Sequence, residues 1–151
     1  MPRALLTVLA ITLCACGGGD QTSLFPDDYA SSYVQVRDCR PSGDHDLNHI
    51  RVLADPRAVD AYQVRGQPFP TGAEVLKEEY DFSDDTCIGP IQQWTVMVRL
   101  AAGTASSTLD WHWQKVDDHR SVVTDNEPRC YACHATCGVP PDGYLGTCAV
   151  P

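Results

Sequence analysis

The sequence predicts an α+β fold built mainly on one antiparallel β-sheet with few short helices, and three observations carry that prediction. Two runs, "QQWTVMVRLA" from Gln92 and "LDWHWQKVD" from Leu109, alternate with a period of two, as two-faced strands do. The turn-forming stretch Gly103 to Ser107 lies between them, so the two pair as an antiparallel hairpin. Nothing repeats at a fixed period, and the length suits one compact domain with a real core.

The elements follow in order. "DYASSYVQVRDC", from Asp28, can open as a helix capped by Asp27 or Asp28, although Tyr33, Val34 and Val36 equally suit a strand. "HIRVLAD", His49 to Asp55, has strand character and ends at Asp-Pro, where the chain must turn. "PRAVDAYQV" reads as a short helix with Pro56 at its first position. "GQPFPTG" is a rigid turn, and "AEVLKEEYDF" is a strand leading in from Gly72. In the next strand Trp94, Val96, Val98 and Leu100 share one face, with Thr95, Met97 and Arg99 on the other. In the following one Trp111, Trp113 and Lys115 oppose His112, Gln114 and Val116. The tryptophans are assigned to packing. Asp117 to Pro128 reads as a polar loop.

The N-terminus speaks to compartment. Arg3, an apolar run from Ala4 to Leu13 and then small residues form a secretory leader too short for a permanent membrane helix. Leu13-Cys14-Ala15-Cys16 resembles a bacterial lipobox. The expected organisation is a lipoprotein signal peptide over 1–15, a lipidated Cys16 with a flexible tether over 16–28, and a folded domain over 29–151. An exported bacterial lipoprotein follows, on the periplasmic side of the outer membrane or cell envelope, held to the membrane through its acyl chains only. The net charge of −9 becomes −10 once Arg3 leaves with the leader. So acidic a chain repels nucleic acid.

Eight cysteines are present. Cys14 goes with the leader and Cys16 carries lipid. Cys130 and Cys133 belong to the motif "CYACH", which ends at His134. Cys39, Cys87, Cys137 and Cys148 remain, an even number in an oxidising compartment. Of the three connectivities open to them, Cys39–Cys87 and Cys137–Cys148 are expected.

Cys-x-x-Cys-His is the attachment signature of c-type haem. Two thiols one turn apart can add across the two vinyl groups of one porphyrin edge, and the following histidine then reaches the iron. The signature therefore adds a C-terminal haem attachment segment to the fold, with one covalent haem c held by Cys130 and Cys133 and ligated by His134. Two other chemistries compete. Cys130, Cys133, His134 and Cys137 form a zinc set on paper, although adjacent ligands suit a tetrahedron poorly. A thioredoxin-like redox pair at Cys130 and Cys133 lacks the helix expected after it.

"HIRVLADPRAVDAY", "PFPTGAEVLKEEY", "WTVMVRL", "DWHWQKVD" and "CYACH", in that order, resemble the cytochrome P-460 family, which includes the beta-type cytochromes c′. The resemblance runs from about Tyr29 to the C-terminus. It implies an antiparallel sheet with one covalent haem, often in a homodimer, and a five-coordinate iron with an open position. Members oxidise hydroxylamine or bind nitric oxide, and in the P-460 enzymes a lysine is bonded to the porphyrin. Lys77 and Lys115 are the chain's lysines, and Lys77 is the stronger candidate. The disulfide cysteines and the lipid anchor depart from the family pattern.

Two functions follow. In the first, the haem binds or oxidises a small nitrogen species, Glu78 or Glu79 serves as a base, and Phe69 or Phe82 walls the pocket. Alternation sends the two glutamates to opposite faces, so only one can point inward. The alternative is plain electron transfer to an exported redox partner, with a sixth ligand from Met97, His45, His49, His112 or His119.

Overall fold

A computed structural model describes residues 21–64, 66–138 and 146–148. The expected leader and the lipidation expected at Cys16 lie outside the described residues. The chain folds as α1 (Tyr29–Ser32), β1 (Val34–Pro41), β2 (His49–Ala54), α2 (Val59–Gln63), β3 (Glu74–Tyr80), β4 (Ile91–Arg99), β5 (Trp111–Asp117), β6 (Val122–Asp125) and α3 (Pro128–His134). The six strands form one sheet in the order β1-β2-β3-β4-β5-β6, every pairing antiparallel. The mainly antiparallel α+β architecture expected from the alternating runs is thus the observed one.

Alternation sorts the side chains into two apolar layers. One face carries Ile50, Val52, Ala54, Val75, Met97, Trp111 and Trp113, with Ala61 and Tyr62 of α2 packed on it. The other carries Leu53, Leu76, Trp94, Val96 and Val116, covered by Phe25 and Tyr29. Cys39–Cys87 ties β1 to the β3–β4 connection, and Cys137–Cys148 ties the end of the motif helix to the C-terminal segment.

Local details differ from expectation in three places. Both readings of Asp28–Cys39 are realised in succession, a single helical turn and then β1. α2 begins at Val59 rather than Pro56, because the Asp55 carboxylate accepts the Ala58 N–H (2.9 Å) and holds Pro56 to Ala58 in a preceding turn. Asp117–Pro128 is not all loop, since Val122–Asp125 pairs with β5 as the edge strand β6. Four residues are too few for a period of two to stand out.

The expected tether also shortens. The Leu24 N–H donates to Gln114 Oε1 at 2.9 Å, Arg120 donates to the Phe25 carbonyl at 2.9 Å, and its guanidinium lies 3.8 Å from the Phe25 ring centroid. Phe25 is only 2 % exposed, so residues 22–28 form a strap across the sheet. Phe25→Ala should cost about 3–5 kcal/mol, read as a lower urea midpoint with an unchanged slope.

Candidate functional site

The site lies on the α2 face of the sheet, whose strand register arranges it in rows. Ala54, Val75, Met97 and Trp113 stand opposite one another across β2 to β5 as an apolar row. The next row is Val52, Lys77, Thr95 and Lys115, and beyond it Ile50, Glu79 and Gln93 align. Polarity therefore rises from the Trp113 row towards the β1–β2 loop. A cavity of about 260 Å³ opens over these rows, walled by that loop on one side and by α3 on the other.

α3 is set against the sheet by β5. The Asn126 side chain and backbone N–H both bond the Trp113 backbone, at 3.1 and 2.7 Å, two residues before Pro128 starts the helix. Cys130, Cys133 and His134 then occupy positions i, i+3 and i+4 and share one face. All three line the cavity, and the His134 ring packs edge-on against Trp113 at 4.7 Å.

His134 is prepared as a ligand. Its Nδ1 donates to the Gly146 carbonyl, which fixes the tautomer and leaves the Nε2 lone pair in the cavity. Gly146 has φ +77°, a conformation that a side chain would strain, so glycine is what lets the chain hold this carbonyl against the imidazole. Burial, and then the Lys77 cation, push the His134 pKa down to about 3 against the opposing Gly146 bond. The ring is neutral at physiological pH. Lys77 Nζ lies 3.5 Å from His134 Nε2 and 2.8 Å from His45 Nε2. Desolvation lowers the Lys77 pKa to about 8, with Glu79 resisting the fall.

Glu79 is fully buried at 0 % exposure. Its carboxylate receives His45 Nδ1 at 3.0 Å, Thr95 Oγ1 at 3.0 Å, Gln93 Nε2 at 2.6 Å and Asn48 Nδ2 at 3.3 Å. Burial alone would raise its pKa; the hydrogen bonds from His45, Gln93 and Asn48 outweigh burial and hold it below the ordinary carboxylate value. The loop that brings His45 is pinned by Asp46, which pairs with Lys115 at 3.2 Å and Arg129 at 3.5 Å.

The sequence-derived residues divide. Lys77, Glu79, Cys130, Cys133 and His134 meet in the cavity. Glu78 does not; it lies on the opposite face, 2 % exposed, bound to Arg51 (2.6 Å), Tyr80 (2.8 Å) and Tyr29 (3.0 Å). Phe69 packs against Trp111 in the core, and Phe82 is an exposed loop residue, so neither walls the cavity. Met97, Trp113 and Val75 do. Of the proposed sixth ligands, His112 pairs with Asp125 at 2.7 Å, His119 is exposed beside Asp118, and His49 faces Phe82. None of these three lines the cavity. His45 was legible only as one histidine among several, because its partner Glu79 is 34 residues away.

The zinc set is overturned. Cys137 is spent in its disulfide with Cys148, and the described residues hold no group of three or more His, Cys, Asp or Glu placed for a metal ion. A redox pair fits poorly too, since burial, then Glu127, raises the Cys130 pKa, whereas an attacking thiol needs it lowered. What remains is a sheet-walled cavity with two free thiols and a ligand-ready imidazole on one helical face. That donor set fits a haem attached through its vinyl groups, and it defines the class as a c-type haem protein.

The family comparison narrows the class. The family model described as Cytochrome P460 matches residues 26–138, and the chain belongs to that family. No curated protein matches it.

Glu79 yields a stability prediction. A carboxylate whose folded pKa is depressed contributes fully above its unfolded value and loses that contribution as pH falls through the folded one. Wild-type stability should therefore drop as pH falls below the ordinary value of 4.5. Glu79→Gln should be less stable near neutral pH yet flatter below 4.5, as measured by urea denaturation across a pH series.

Proposed function

We propose that this is an exported mono-haem c-type cytochrome whose iron keeps one coordination position open for a small nitrogen species, nitric oxide or hydroxylamine. Its haem c is held covalently by Cys130 and Cys133 and ligated by His134. The observation that carries the proposal is the convergence on one cavity of His134 Nε2, freed by the Nδ1–Gly146 tie, with the two unpaired thiols of a chain whose other described cysteines are bonded.

When bound, haem supplies a redox-active iron that accepts small ligands. The protein's part is to orient and enclose it. Trp113 and Gly146 set the imidazole, the apolar row from Val75 to Trp113 excludes water, and the polar row with Lys77 and Glu79 meets a polar ligand. Lys77 is the lysine for a bond to the porphyrin of the kind found in the P-460 enzymes. An open position is favoured over electron transfer through a six-coordinate iron: Met97 is built into the apolar row, His49, His112 and His119 lie outside the cavity, and His45 is held by Glu79 with its Nε2 engaged by Lys77. The lipobox-like segment supports a location on the periplasmic side of the outer membrane or cell envelope, with an exported redox partner and a homodimer as its expected associations.

The exported protein should show the added mass of one haem and a c-type pyridine haemochrome spectrum, with a high-spin ferric form that shifts on adding nitric oxide. Cys130→Ser/Cys133→Ser should lose the covalent mass. A colourless wild-type protein sinks the proposal, and a low-spin spectrum indifferent to nitric oxide returns it to electron transfer. A red-shifted absorption band lost in Lys77→Ala would identify the porphyrin bond.

A further inference from the structure

The buried carboxylate of Glu79 calls for an account beyond packing. It sits at 0 % exposure with four donors around it, and burying an ionised group is costly even when it is well bonded. One of the donors is an imidazole. Because an ionised carboxylate only accepts, His45 Nδ1 carries a proton, and because the Lys77 ammonium only donates, His45 Nε2 is the accepting nitrogen of that contact. Lys77 Nζ, 2.8 Å from that Nε2, shows where the lone pair points: into the cavity, towards the side chain that also approaches His134.

The loop holds this arrangement rigidly. The Ser42 N–H bonds the Asn48 carbonyl and the Asn48 N–H bonds the His45 carbonyl, both at 2.9 Å, while Asp46 clamps the loop to β5 and α3. A preset base, fixed through its far nitrogen by a carboxylate, is the arrangement that proton transfer requires.

We propose that His45 is the proton acceptor of the cavity and that Glu79 is its positioning residue. This rests on the reading that the cavity seats a haem with an open coordination position. A protic ligand such as hydroxylamine or hydrogen cyanide enters neutral. As its N–H, O–H or C–H bond breaks, the electron pair stays with the ligand and the proton passes to His45 Nε2. Glu79 then faces an imidazolium, which it stabilises through Nδ1–H.

Cyanide association with the ferric haem-loaded protein tests this without turnover, because hydrogen cyanide must lose its proton to bind as the anion. His45→Ala should bind cyanide about a hundredfold more slowly with an unchanged ferric spectrum, and added imidazole should restore part of the rate. His45→Gln keeps side-chain hydrogen bonding without basicity and should be equally slow, which guards against a collapsed loop in the alanine variant. Glu79→Gln should be slower by about tenfold, with no rescue by imidazole, since His45 still fills its place. An unchanged association rate in both His45 variants overturns the assignment. So does a low-spin wild-type spectrum that turns high-spin in His45→Ala, because His45 is then an iron ligand. If the cyanide result holds while nitric oxide and hydroxylamine leave the protein unchanged, His45 stands as the acceptor and the nitrogen-ligand function falls.

Discussion

The central strand of this sheet buries charge on both of its faces, and much of the remaining chain is arranged to satisfy that burden. β3 sends Lys77 and Glu79 to one side and Glu78 to the other. An unpaired buried carboxylate would be prohibitive, so each acquires a shell. Behind the sheet, Glu78 gathers Arg51 from β2, Tyr80 from its own strand and Tyr29 from α1, and Tyr29 in turn accepts the Trp94 indole N–H at 3.0 Å. Burial, then the Glu78 charge, raises the Tyr29 pKa to about 12, so the phenol remains a donor. In front, Glu79 draws in the β1–β2 loop through His45 and Asn48. α1 and the loop are thus folded against β3 by the same electrostatic requirement, acting in opposite directions.

That division explains why the cavity can be reactive while the sheet stays fixed. The rear network is closed: its partners are side chains of the sheet and of α1. The front network has ends that reach into open volume, His45 Nε2 and Lys77 Nζ. α3 meets it from the other side and brings three donors on one face, seated by Trp113 and by the Gly146 carbonyl. Neither wall makes the site alone.

The sequence disclosed much of this because its strongest signals were local. β4 and β5 announce themselves by alternation, and the same alternation separates Glu78 from Glu79. The free Cys130 and Cys133 could be told from the paired cysteines by spacing and parity. What stayed hidden depended on long-range pairing. β6 is four residues long and gains its identity only from β5. Phe69 and Phe82 were equivalent as aromatic residues near a turn, yet one packs beneath Trp111 and the other is exposed. His45 needed Glu79, and the strap needed Gln114 and Arg120, each some 90 residues further along.

The strap bears on the order of assembly. Its anchors, Gln114 and Arg120, belong to β5 and the β5–β6 turn, so a segment ahead of the first strand is fixed only by the fifth. Until those late elements are present, Phe25 can rest on Trp94 of β4 but lacks the Gln114 and Arg120 bonds that fix the strap. Closing a contact across so long a stretch of chain is entropically slow. The strap over the Glu78 side of the sheet is therefore fixed only once β5 and the turn after it are in place.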